Sequence, residues 1–222
     1  MENYASRRSG RESPNESTAA NLIPVRPTIT KLQRAARNCR ACPLWKRGTQ
    51  TVFGFGASKA RVVLVGEQPG NDEDLQGKPF VGPAGKLLDN ALEEAGIKRA
   101  DVYVTNVVKH FKWEPKRKRR IHKKPNSREL AACRPWLDAE LRVLQPDVLV
   151  CLGATAAKAL LGRNFRVSQE RGKWMETDLA PHTMATVHPS TILRTPDDQS
   201  RRNQMKQFVA DLKVVAKVIA RR

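Results

Sequence analysis

Four short apolar runs set the framework of this chain: Arg61-Val62-Val63-Leu64-Val65, Val102-Tyr103-Val104-Thr105, Asp147-Val148-Leu149-Val150-Cys151-Leu152 and Met184-Ala185-Thr186-Val187. They are near-continuous rather than alternating, as expected for strands covered on both faces. Between and after them the apolar positions take up the spacing of one helix face. That spacing predicts helices over 84–95, closed by Gly96, and over 127–144, with Leu130, Cys133, Leu137, Leu141 and Leu144 on one stripe. Pro135 implies a kink or a late start in the second of these. Further helices are predicted over 155–161, closed by Gly162, and over about 201–220, with Met205, Phe208, Leu212, Val215 and Ile219 on one face. Strand and helix in alternation predict an α/β fold, a three-layer αβα sandwich around a central four-stranded, mostly parallel sheet.

Ahead of the first run the pattern weakens. Residues 1–27 are rich in Ser, Asn, Arg and Pro and read as a mobile tail, which leaves 28–222 as the folded domain. Ile29, Leu32, Ala35 and Ala36 fit a short helix capped by Thr28 or Thr30, and Pro43 bars its continuation.

Composition narrows the class. Hydrophobic residues reach 40% of 222, too many and too clustered for a wholly disordered chain. No apolar stretch of about 18 residues occurs, so no spanning helix is expected. The polar start lacks the apolar segment of a secretory signal. A cytoplasmic monomer with no membrane partner is the expectation. Lys and Arg number 41 against 22 Asp and Glu, a formal charge of +19. With a pI of about 10.4, nucleic acid is the expected partner.

The segments after the first, second and fourth strands carry candidate motifs. Gly66-Glu67-Gln68-Pro69-Gly70 follows the first strand, and its glycines and proline allow a tight turn where backbone approaches a ligand. Phe80 lies among turn residues in Gly77-Lys78-Pro79-Phe80-Val81-Gly82; it reads equally as a core side chain or as a stacking platform for a flat ring. Asn106, in Thr105-Asn106-Val107-Val108-Lys109, offers a donor and an acceptor suited to the edge of a uracil-like ring, or else satisfies its own loop. His188, in His188-Pro189-Ser190-Thr191-Ile192-Leu193-Arg194, is either a cap or a donor to an oxyanion, with Ser190 and Arg194 able to meet phosphates.

Between Lys109 and Lys124 there are nine Lys or Arg and one acid, Glu114. Charge runs are usually solvated loops. This one follows a strand's carboxyl end, where open α/β sheets place their ligand sites, and it includes Trp113, Ile121 and His122. Neighbouring positive charge in such a loop is expected to keep His122 neutral. The cysteines form a pair, Cys39 and Cys42, followed by Cys133 and Cys151. Four thiols without an export signal suggest a metal or cluster site. The spacing does not choose zinc over iron–sulfur, and Cys151 reads equally as a buried core thiol.

In this order, the loop motifs and the cysteines resemble the iron–sulfur uracil-DNA glycosylases, family 4 of their superfamily, from about Cys39 to the final helix. Gln68, where ordinary members have alanine, and the inserted Lys118-Arg119-Arg120-Ile121-His122 string resemble the UdgX branch, whose members excise uracil and then become covalently joined to the DNA. The resemblance implies uracil-containing DNA as substrate and a [4Fe–4S] cluster on Cys39, Cys42, Cys133 and Cys151. It implies Phe80 stacking on uracil, Asn106 reading its amide edge, His188 donating to O2, and His122 as the nucleophile that captures the sugar. Gly66, Gln68, Gly70 and Ser190 would line the base pocket, Lys118 and Arg194 would face DNA, and Arg119 and Arg120 would hold the loop or DNA phosphates. Glu67 is expected to orient or deprotonate His122, or a water in its absence. Two other readings stay open: an ordinary multiple-turnover glycosylase, and a non-catalytic metal-containing DNA-binding protein.

Overall fold

The computed structural model describes residues 18–220. Its elements are α1 (Ile29–Ala36), β1 (Val62–Gly66), α2 (Asn71–Gln76), α3 (Pro83–Glu94), β2 (Val102–Asn106), β3 (Trp113–Lys116) and β4 (Arg119–His122), then α4 (Ser127–Leu144), β5 (Val148–Leu152), α5 (Ala154–Leu161), α6 (Val167–Glu170), β6 (Trp174–Met175), β7 (His182–Thr186), α7 (Pro189–Leu193) and α8 (Asp198–Ile219). The main sheet runs β2-β1-β5-β7-β6. Its first four strands are parallel, and β6 adds a two-residue antiparallel edge. The αβα sandwich is as predicted. The fifth strand is too short to leave a pattern in the sequence.

Alternate side chains of each strand serve opposite layers. Val63, Val65, Tyr103, Leu149 and Cys151 pack with residues of α1, α4 and α5. Val62, Leu64, Val104, Val150 and Leu152 pack with residues of α3, α7 and α8. Every residue of β1, β2 and β5 is buried, which explains why these runs do not alternate with polar positions.

Two expectations change in detail. The fourth helix has no late start: α4 begins at Ser127 and runs through Pro135 to Leu144. Its start is fixed by a capping box, in which Asn126 Oδ1 accepts from Glu129 N at 2.9 Å and Glu129 Oε2 accepts from Asn126 N at 2.7 Å. Ordered structure also begins ahead of position 28, because Ala19–Leu22 form a turn of 3-10 helix with Ala19 fully buried. The rest of the predicted tail, 1–17, lies outside the described residues.

The sheet sets up the site by simple geometry. Four parallel strands end together, so Gly66, Asn106, Leu152 and Thr186 deliver their following loops to one edge.

Candidate active site at the carboxyl edge of the sheet

A cleft of about 630 Å³ opens where those loops meet. At its floor Asn106 is 2% exposed, and its Oδ1 is buried with no hydrogen-bond partner among the described residues. A buried acceptor left unmade costs free energy, so this oxygen is a standing invitation to a donor. Gly66 makes room for it: a Cβ there would lie 2.4 Å from Asn106 Oδ1 and 2.9 Å from Phe80 Cζ. Phe80 sits at φ +57°, a left-handed conformation that is uncommon for a bulky residue. Gly85 permits it, because a Cβ at that position would overlap the Phe80 carbonyl at 1.8 Å. The Phe80 ring faces His188 with centroids 6.0 Å apart and planes 32° apart. Phe80 thus packs with the core and also lines the cleft.

His188 caps α7 with one ring nitrogen and lines the cleft. Its Nδ1 accepts from Ser190 N at 3.2 Å and lies 2.7 Å from Ser190 Oγ, which caps α7. A ring nitrogen that accepts a backbone N–H carries no proton, so the neutral ring holds its proton on Nε2. Burial, reinforced by the charge of Arg194 and by His122, pushes the His188 pKa down to about 4. The ring is therefore a neutral donor. Gly153 brings α5 close against it: a Cβ at that position would lie 2.9 Å from His188 Cβ.

The basic segment is a hairpin rather than an open loop. β3 and β4 pair antiparallel, with Trp113 opposite His122. Gln68 clamps its base: Nε2 donates to Lys112 O at 3.3 Å and Lys123 O at 3.0 Å, and Oε1 accepts from Lys112 N at 3.1 Å. Arg120 is spent internally. It pairs with the fully buried Asp74, donates to Asn71 Oδ1 at 3.2 Å, and lies over the rings of Trp113 at 4.6 Å and Phe111 at 5.1 Å. Lys118 and Arg119 remain exposed on the hairpin. Arg194 lines the cleft mouth.

The hairpin delivers His122 to the cleft wall, with Nε2 3.5 Å from Glu67 Oε1. Its side chain is half exposed, and the partial desolvation it meets at the cleft wall is the chief cause lowering its pKa; Glu67 opposes this and Arg194 adds to it. Charge from the cationic loop was expected to do this work. Desolvation does more, and the cation that adds to it, Arg194, comes from the loop after α7 rather than from the hairpin. Glu67 itself is held by Thr155, whose hydroxyl donates to Oε2.

Two contributors escaped the sequence reading. Thr155 left no signal beyond its position after a strand. Glu73 was legible as the third residue beyond Gly70, the spacing of a helix cap. Its carboxylate accepts from Gly70 N and Gly82 N, each at 3.0 Å, and so ties together two turns that wall the cleft.

Cys39, Cys42, Cys133 and Cys151 are all buried in the core layer shared by the sheet with α1, α4 and α5. Cys39 Sγ accepts from Trp136 Nε1 at 3.3 Å, and Cys133 Sγ accepts from Lys109 N at 3.2 Å. Burial pushes the thiols of Cys133 and Cys151 up to about 12; for Cys133, Cys42 and Cys39 push the same way and Lys109 opposes. Among the described residues no group of three or more His, Cys, Asp or Glu side chains stands ready to hold a metal ion. The donor type still fits a thiolate-bound centre: Cys39 and Cys42 lie close enough to act on Cys133, Cys151 is buried in the same core layer, and two of the four sulfurs already receive N–H groups.

Comparison with known proteins places this architecture. Residues 53–213 match the family model described as the uracil DNA glycosylase superfamily. A type-4 uracil-DNA glycosylase of Thermotoga maritima is 41% identical over 167 residues, covering 75% of this chain and 83% of the relative. The proteins of the same description from Pyrobaculum aerophilum and Archaeoglobus fulgidus are 39% and 38% identical, over 76% of this chain and 86% and 85% of their own lengths.

Proposed function

The chain belongs to the uracil-DNA glycosylase superfamily and to its type-4 members, and on that premise we propose that it excises uracil from DNA and then stays joined to the abasic sugar through His122. The observation that carries this reading is the content of one cleft: an unpartnered acceptor on Asn106 and, on the wall, a histidine held neutral beside Glu67.

Excision requires the nucleotide to leave the base stack, at a cost of about a few kcal/mol in duplex. Phe80 supplies a ring for the uracil face. Asn106 accepts from N3–H and donates to O4, a pattern that cytosine reverses. His188 Nε2–H meets O2, where negative charge grows as the bond breaks. The C1′–N1 bond cleaves with its electron pair going to uracil, leaving an electron-poor sugar. A lone pair of the His122 imidazole forms the new bond to C1′. The ring then releases its N–H proton, and the uracil anion takes one from solvent. Held at the cleft wall, the imidazole has a high effective concentration over water. Glu67, fixed by Thr155, orients the ring and stabilises its positive charge.

A [4Fe–4S] cluster would be held by Cys39, Cys42, Cys133 and Cys151 and would supply structural cross-linking between the N-terminal segment, α4 and β5. The second reading is an ordinary multiple-turnover glycosylase. Glu67 favours it to this extent: its carboxylate could orient a water as readily as an imidazole.

Release of uracil from a labelled oligonucleotide tests the shared part of both readings. Asn106→Asp is expected to slow release by at least about tenfold, since a carboxylate cannot donate to O4 and loses one hydrogen bond to a buried group. Release at the native rate would place the base elsewhere.

A further inference from the structure

A fully buried ion pair lies beneath the cleft rather than in it. Lys109 and Glu140 form an ion pair whose side chains are 1% and 0% exposed. Lys109 Nζ also donates to Thr105 Oγ1 and to the backbone oxygen of Asn106, both at 2.7 Å. The three ammonium protons thus have three acceptors. Glu140 Oε1 accepts from Tyr103 OH at 2.8 Å, Thr105 Oγ1 at 3.0 Å and Gly54 N at 3.2 Å. Burial beside this carboxylate drives the Tyr103 phenol far above its ordinary pKa, so it remains a donor.

A buried ion pair adds little net stability over apolar side chains of the same size, so its main consequence is geometric. The peptide that follows Asn106 is gripped at both ends. Its oxygen accepts from Lys109, and its N–H, on Val107, donates to Gly66 O at 3.0 Å. That grip fixes the direction in which the Asn106 side chain leaves the backbone at the end of the outer strand β2. A side chain whose amide must meet two ring atoms tolerates little rotation.

We propose that Lys109 and Glu140 are positioning residues that aim the Asn106 amide at the base, with Thr105 as the bridge between them. This rests on the reading of Asn106 given above. The Lys109 backbone N–H to Cys133 Sγ is a separate contact that side-chain substitution leaves in place.

The test is a neutral replacement of the pair, Lys109→Met with Glu140→Gln. The glutamine can still accept from Tyr103 and Gly54 and donate to Thr105, so thermal melting should fall only by the cost of leaving the Asn106 oxygen without its donor. The hold on the Asn106 oxygen is lost, together with the ammonium over the Phe53 ring. The single-turnover excision rate at saturating uracil-DNA should fall about a hundredfold, the scale of a misplacement of about 1 Å. The DNA concentration giving half that rate should change little. Free uracil should also inhibit the variant more weakly than the native protein, an effect that a mere loss of folded protein would not produce. Excision at the native rate, with uracil inhibition unchanged, overturns the proposal. If the pair variant melts too low to assay, Lys109→Leu with Glu140→Gln is a second neutral pair that also removes the donor to the Asn106 oxygen, and a native excision rate in that variant overturns the proposal equally. Asn106→Asp run alongside separates the two levels. If it is slow while the pair variant is fast, positioning fails alone. If it is as fast as the native chain, the reading of Asn106 fails and positioning falls with it.

Discussion

A histidine can cap a helix and serve a pocket at once when its two ring nitrogens are assigned different work. His188 Nδ1 is committed to Ser190, which leaves Nε2–H to the cleft. The arrangement has a cost in acid. The pKa values of both His188 and His110 are pushed down to about 4 from an ordinary 6.5, chiefly by burial. The unfolded chain therefore binds more protons than the folded one between those values. The stability these neutral rings contribute is fully present above about 6.5 and is lost as pH falls towards about 4. Melting temperature should decline through that window, and a flat profile there would contradict the assignment. Gln68 makes a second residue-level prediction. Its three hydrogen bonds to the hairpin base represent about 2–4 kcal/mol of anchoring. Gln68→Ala should leave uracil excision largely intact while cutting the yield of protein–DNA adduct, as read on a denaturing gel. Phe80→Ala should cost about 1–3 kcal/mol of stacking, visible as weaker use of uracil-DNA.

At the level of elements, what the sequence disclosed follows from burial. β1, β2 and β5 were legible because both faces are covered, and α4 because its apolar stripe is regular. The hairpin was not. β3 and β4 are built largely of charged residues, so no apolar alternation marks them. Their turn places Arg117 at φ +55°, where glycine or asparagine would have been the readable signal. What holds the hairpin is long-range: Gln68 at its base, Arg120 on Asp74, and Trp113 Nε1 donating to Arg47 O at 2.9 Å. No local pattern encodes such contacts. The same reasoning explains Asn106: its residue type and place after a strand were visible, whereas its unpartnered oxygen is a property of the packed fold. If Arg120 is a latch rather than a DNA contact, Arg120→Ala should raise amide hydrogen exchange across 113–123 with little change in exchange of the main sheet. Protection unchanged across the hairpin would return Arg120 to the DNA-facing set.

On the scale of the whole molecule, a charge of +19 calls for general attraction to DNA, and binding of uracil and thymine oligonucleotides alike should weaken steeply as salt rises. Selectivity must then come from the cleft, and permanence from His122. Four buried thiols packed around α4 and β5 add a further expectation of brown protein carrying about four irons per chain. One zinc in colourless active protein would replace the cluster and leave the glycosylase standing. The claim that separates this chain from ordinary excision is the bond between His122 and C1′. It is tested most directly by denaturing electrophoresis of native protein and His122→Ser, each mixed with uracil-DNA or thymine-DNA, followed by peptide mass mapping. A heat-stable one-to-one adduct linked at His122 is expected with native protein and uracil-DNA alone, and none from His122→Ser. Repeated turnover by the native protein with no shifted band, or a link mapped to His110, His182 or His188, would contradict it.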